Sequence, residues 1–221
     1  MMMVKKTLPL LDMKITELTT RMGRKLIHAT FTKDPILDLE LMTSFVAKSS
    51  NGGGPVPCQS IIPCHAIIST VHLESLASKD RRKTQLSQIH PILEFHTSSK
   101  LKMLMGDFNF DSETSENRVN LKEGPFSNFE DVWLKVNPEG KSTGKTFEYK
   151  GTHHKGNRLD RMMMRSEEWQ PILMKLVGNQ PIQLKEEELL ELERHGMQET
   201  CMSDHYGIYA ELQNTNTSNV H

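Results

Sequence analysis

Gly106-Asp107-Phe108-Asn109 and, far along the chain, Ser203-Asp204-His205 place carboxylates beside an amide and an imidazole at what read as strand ends. Met103-Leu104-Met105 leads into the first and Tyr206 to Leu212 leads away from the second. Strand ends of an α/β scaffold hold polar side chains rigidly, and this set suits a phosphate and a hard cation. Hydrolysis of a phosphodiester needs an activated water, neutralised nonbridging oxygens and help for the leaving oxygen. A magnesium ion supplies part of this through oxygen ligands in octahedral geometry, several of them waters. Asp107 can orient or deprotonate the water, and Asn109 can hold that water or a phosphate oxygen. Glycine at 106 lets the backbone come close to substrate. The competing reading is a plain strand-to-turn transition, since Gly, Asp and Asn are turn residues.

His205 adds to the first reading. An imidazole whose tautomer is fixed by a carboxylate can donate to phosphate or exchange protons with water. Asp160, in Arg158-Leu159-Asp160-Arg161, is the candidate orienter, and Asp204 can reach a metal through water. His72, in Thr70-Val71-His72-Leu73-Glu74-Ser75, ends an apolar run and is either structural or a further site residue, with Glu74 as a possible orienter.

The elements that must position these residues follow from periodicity. Lys25 to Thr32, Ala66 to Leu73, Lys102 to Phe108 and Arg158 to Met164 read as strands. Asp80 to Phe95 reads as a helix with Leu86, Ile89 and Leu93 on its apolar face and Pro91 ending or kinking it. Lys185 to His195 reads as a solvated acidic helix, and Asp38 to Ala47 as a strand or short helix. Ser49 to Pro55 is a glycine-rich loop, residues 1–14 are expected to be poorly ordered, and 213–221 form a polar tail.

A chain of 221 residues fits one domain, spanning 15–212. Net charge is −1, so attraction to phosphate must come from local clusters such as Arg81-Arg82-Lys83 or Arg158, Arg161 and Arg165. Three cysteines and no secretory signal point to an intracellular protein, nuclear or cytoplasmic. No apolar stretch approaches the roughly 20 residues of a membrane-spanning helix.

His-Leu-Glu-Ser, Gly-Asp-Phe-Asn, Arg-Leu-Asp-Arg and Ser-Asp-His occur in the order found in the endonuclease/exonuclease/phosphatase superfamily, which this chain resembles over roughly 15–212. Within it the likeness is greatest to the tyrosyl-DNA phosphodiesterase 2 branch. The features that point there are Arg21-Met22-Gly23-Arg24-Lys25-Leu26, Asp131-Val132-Trp133, Thr146-Phe147 and Ser203-Asp204-His205-Tyr206-Gly207.

The resemblance implies a four-layered α/β sandwich and a metal-dependent phosphodiester hydrolase. Mg2+ or Mn2+ would be the cofactor, and nucleic acid or another phosphodiester the partner. It implies that Asp107 and Asn109 position water and phosphate, that His205 steadied by Asp160 is the acid/base or phosphate contact, and that His72 stabilises the pentavalent oxygens. Asp204 would sit near the metal, and Arg158 would serve substrate electrostatically. The family also carries an Asn strand and a Gln-Glu pair whose Glu is the principal magnesium ligand; neither occurs before Thr20. The expectation is therefore a domain incomplete at its N-terminus, and the alternative function is a homologue that binds without turnover.

Overall fold

The computed structural model describes residues 10–31, 66–139, 144–147, 156–194 and 203–215. Asp38 to Ala47, the glycine-rich loop, all three cysteines and the tail beyond 215 lie outside the described residues. Six strands form the main sheet: β1 (Leu10–Glu17), β2 (Lys25–Phe31), β3 (Ala66–His72), β4 (Leu101–Asp107), β5 (Glu130–Asp131) and β6 (Asp160–Ser166), in the order β1-β2-β3-β4-β6-β5. Only β3 and β4 run parallel, and the helix α1 (Lys79–Phe95) makes the crossover that a parallel pair requires. β7 (Trp169–Val177) and β8 (Gly207–Asn214) form a separate antiparallel pair.

Strand alternation sorts the core into two layers. Ile68, Met103, Met105, Met162 and Met164 face one way and pack on Met174, Ile208, Ala210 and Leu212 of the β7–β8 pair. Ile67, Val71, Leu104 and Met163 face the other way and pack on Leu86, Ile89 and Leu93 of α1. Helix, large sheet and small sheet therefore stack in that order, the α/β architecture expected from the motifs. The short helices α2 (Ser115–Asn117) and α3 (Val132–Val136) lie in the connection from β4 to β6, and α4 (Glu186–Arg194) exposes its acidic face to solvent. Among the described residues no helix is long and apolar enough to cross a membrane.

Three expectations change. Residues 10–14 are not part of a poorly ordered terminus: they open β1, whose alternation Met13, Lys14, Ile15, Thr16 pairs with β2 residue for residue. Met13 and Ile15 stay 58% and 60% exposed, because the two-stranded sheet covers only part of the six-stranded one. Pro91 neither ends nor splits α1, which runs on to Phe95; it sits on the solvent side, and the next turn is anchored by the buried Leu93. The last strand before the small sheet starts at Asp160 rather than Arg158, since the Leu159 N–H turns to Thr146 and the Arg158 N–H to Asp111 instead of extending the ladder.

One glycine fixes how β3 and β4 end together. Gly106 has φ +126°, and a Cβ there would lie 2.0 Å from the Val71 carbonyl oxygen. Gly106→Ala is expected to destabilise the fold by at least about 3 kcal/mol, because a backbone oxygen cannot step aside as a side chain can. Chemical denaturation would check it.

Candidate active site

His72 ends β3, Asp107 ends β4 and Asp160 begins β6, and the ladder sets them side by side: His72 opposite Asp107, Asp107 opposite Asp160. All three occupy positions of the face that carries Ile68, Met105 and Met162, so they form the polar end of the layer between the two sheets. His205 comes from the small sheet's side, two residues before β8, and completes the group. Sequence-remote residues thus meet through strand register.

His72 Nε2 lies 3.2 Å from Asp107 Oδ2. Asn109, in the left-handed region at φ 54°, donates its backbone N–H to Asp107 Oδ1 at 2.7 Å. Its amide donates to Asp107 Oδ2 at 3.1 Å and to the Leu73 carbonyl at 2.9 Å. Asn is among the few residues that tolerate this backbone, so the turn character of Gly-Asp-Phe-Asn and its placement at the site are one feature. His205 Nδ1 donates to Asp160 Oδ2 at 2.7 Å, which leaves Nε2 as its other proton-exchanging atom. The His205 ring also lies against Phe147, with centroids 4.8 Å apart.

The electrostatics follow from this crowding. Burial, then the neighbouring Asp160 charge, pushes the Asp107 carboxyl up to about 6. Burial, then the charges of Arg24 and His205, pulls His72 down to about 4. At neutral pH Asp107 is therefore ionised beside a neutral His72 that can donate to it. Burial opposes charge on His205 as well, but the Asp160 hydrogen bond and the charges of Asp160, Asp107 and Asp204 outweigh it and raise the imidazole above its ordinary value.

Asp204 is exposed and accepts a 3.3 Å bond from Ser203 Oγ. Among the described residues no three His, Cys, Asp or Glu side chains gather as a metal cluster. Asp204, which reaches solvent, would meet a hydrated cation on its own and not as part of a closed ligand set.

Two expected roles differ. Arg158 is 3% exposed and clamps Asp131 with two 2.8 Å bonds; Arg161 binds the same carboxylate and Asn117. Arg158 is thus held in a buried structural pair and does not face substrate. Its partner lies in another segment, so the motif alone could not reveal the pairing. Glu74 does not orient His72: it is 2% exposed and accepts from Thr20 Oγ1 at 2.6 Å and from the Arg21 N–H at 2.9 Å. Asp107 takes the orienting place.

Arg24 was not among the expected site residues. It lies close enough for its charge to act on both His72 and Asp107, while its Nη2 donates to Ser75 Oγ at 3.2 Å and its buried Nε has no partner. The run Arg21 to Leu26 carried the family likeness, but periodicity gave no sign of which arginine turns toward the strand ends.

No protein-family sequence profile matches the chain. No curated protein matches it by sequence either. By structure, the fold is that of the endonuclease/exonuclease/phosphatase superfamily. TDP2 from D. rerio, complexed with single-strand DNA product, is 20% identical with a TM-score of 0.61, covering 94% of this chain and 69% of that one. An endonuclease/exonuclease/phosphatase family protein from Bacteroides thetaiotaomicron is 11% identical with a TM-score of 0.59, covering 92% and 64%. The human Nocturnin catalytic domain with bound sulfate is 12% identical with a TM-score of 0.54, covering 93% and 59%. The chain thus spans about two thirds or less of the length of these structures.

Asp107→Asn should raise stability at pH 7.5 by on the order of 1–3 kcal/mol. The sign follows from linkage: the folded carboxyl holds its proton more tightly than the unfolded one, so its contribution to stability is present below about 4 and lost as pH rises through about 6. Thermal melts at pH 5 and pH 7.5 check it: the variant's advantage should appear at the higher pH and shrink at the lower.

Proposed function

We propose that the chain is a phosphodiester hydrolase in which ionised Asp107 orients or deprotonates the attacking water and charged His205 donates to the phosphate or to the leaving oxygen. The single observation that carries this reading is the row His72, Asp107, Asp160 across three strand ends, with His205 Nδ1 2.7 Å from Asp160. It sets a carboxylate ionised at neutral pH beside an imidazole that favours its charged form. A base and an acid with separated titrations are what in-line displacement by water requires. Neutral His72 has a single N–H, which Asp107 accepts from Nε2, so His72 steadies that carboxylate.

The class of substrate follows from the same geometry together with the fold. His205 and Arg24 favour an anion, and the D. rerio TDP2 structure of this fold holds a single-strand DNA product. The substrate proposed is therefore a nucleic-acid end, with a 5′ adduct on DNA as the particular case and DNA repair as its setting. The divalent-cation requirement, Mg2+ or Mn2+, belongs to the same proposal; bound at Asp204 it would add charge neutralisation at the phosphate. The lack of a closed set of ligands among the described residues favours a second reading, a homologue that binds phosphodiesters without turning them over.

Purified protein should hydrolyse bis(nitrophenyl) phosphate and a 5′-phosphotyrosyl oligonucleotide in the presence of magnesium, with Asp107→Ala lowering the rate by about 100-fold or more. Turnover should rise with pH through about 6 as Asp107 ionises, then fall as His205 loses its proton above its ordinary 6.5. Rates indistinguishable between the intact chain and Asp107→Ala would overturn the proposal. Oligonucleotide binding without turnover would establish the second reading.

A further inference from the structure

Thr146 is 0% exposed, and the described residues around it, 144–147, lie in no helix or main-sheet strand. It is nevertheless fastened to both sides of the acid/base pair. Its Oγ1 accepts the backbone N–H of Asp160 at 2.8 Å and that of Leu159 at 3.1 Å. Its carbonyl accepts the backbone N–H of Tyr206, the residue after His205, at 2.7 Å. The Thr146 and Phe147 N–H groups both donate to the Asn157 carbonyl at 3.0 Å, and Asn157 returns a 2.8 Å bond to the Phe147 carbonyl. These bonds give the stretch a fixed position of its own. The neighbouring Leu159 carbonyl accepts from Phe108 N–H at 2.9 Å, which ties the same residues to the turn carrying Asp107 and Asn109.

We propose that Thr146 is a positioning residue that sets the separation of Asp160 and His205 by holding the backbone of each through one side-chain oxygen and one carbonyl. The hydroxyl is the critical atom. Asp160 opens β6, and the N–H groups of Asp160 and Leu159 are supplied by Oγ1 at 2.8 and 3.1 Å. Buried backbone donors need acceptors, and removing this oxygen would leave two without one. The least costly relief is a shift of residues 159–160, which moves the Asp160 carboxylate relative to His205. Thr146 itself bonds to backbone groups and takes no part in proton transfer. Its kinetic consequence rests on the proposed hydrolysis; its effect on the His205–Asp160 pair does not.

The test compares the intact chain with Thr146→Val, which keeps shape and branching but loses the oxygen, and Thr146→Ser, which keeps the oxygen and loses the methyl. The His205 Nδ1 proton, which reports the bond to Asp160, is observed by NMR, and kcat and KM are measured on bis(nitrophenyl) phosphate. In the intact chain and Thr146→Ser this proton should give the low-field signal of the 2.7 Å bond; in Thr146→Val the signal should move upfield or vanish, because the Asp160 carboxylate has moved away. With it, kcat should drop about tenfold or more while KM stays within about twofold. Should Thr146→Val fail to fold, Thr146→Ala against Thr146→Ser makes the same comparison of oxygen lost against oxygen kept. An unmoved His205 Nδ1 signal in every folded variant lacking the oxygen would overturn the proposal, whatever happens to Tm. Equal shifts in the variants that keep and lose the oxygen would overturn it too. If the expected changes in the His205 Nδ1 signal occur while the intact chain shows no turnover, the hydrolase reading fails and the positioning role stands.

Discussion

The approach of Gly106 to the Val71 carbonyl is the constraint on which the rest of the arrangement depends. With no Cβ, β4 can lie against β3 where any other residue would put a carbon 2.0 Å from that oxygen. The pairing then carries one step further, to His72 opposite Asp107, and on the other side of β4 to Asp107 opposite Asp160. Three polar residues end up in one row because three backbones are in register, with no loop left to choose their spacing. Side chains held on strands in this way lose little further freedom when they act, which is the advantage of building a site on regular elements.

That row carries an electrostatic cost. Asp107 and Asp160 are both 7% exposed and stand on adjacent strands, and burial together with the Asp160 charge opposes ionisation of Asp107. The surroundings offset this unevenly. Asp160 is engaged by His205, which gains affinity for its proton in return. Asp107 is engaged by the Asn109 N–H groups and a neutral His72, and keeps a raised value. Two chemically equal carboxylates thereby acquire different surroundings, which in the proposed hydrolysis lets one support an acid and the other serve as a base. Arg158, Arg161 and Asp131 are also charged and buried; both arginines bind the Asp131 carboxylate, and Arg158 Nε stays a buried donor without a hydrogen-bond partner.

Most of the scaffold was legible in the sequence because it obeys simple periodicity. β2, β3, β4 and α1 are apolar at the spacing their structure demands, and each was expected within a residue or so of where it lies. β1 was missed because its apolar residues end up exposed on an edge, so alternation there looked like noise. β7 was hidden by Pro171, which the strand accommodates at a register shift between Pro171 and Leu173. At the site, His72, Asp107, Asn109, Asp160 and His205 were all named from type and order, and the fold gathers them. What the sequence could not convey is pairing at a distance. It could not show that Asp131 occupies Arg158, that Thr20 and Arg21 occupy Glu74, or that Arg24 and Thr146 lie beside the reacting groups.

Burial at the strand end, with the Asp160 charge set beside it by register, lifts the Asp107 carboxyl to about 6. Carboxyl-carbon NMR of the intact chain across pH 3 to 8, repeated in Asp160→Asn, follows this titration. An Asp107 midpoint near 6 is expected, moving toward the ordinary 3.8 when the Asp160 charge is removed. An Asp107 midpoint close to 3.8 in the intact chain, unmoved by Asp160→Asn, would contradict it.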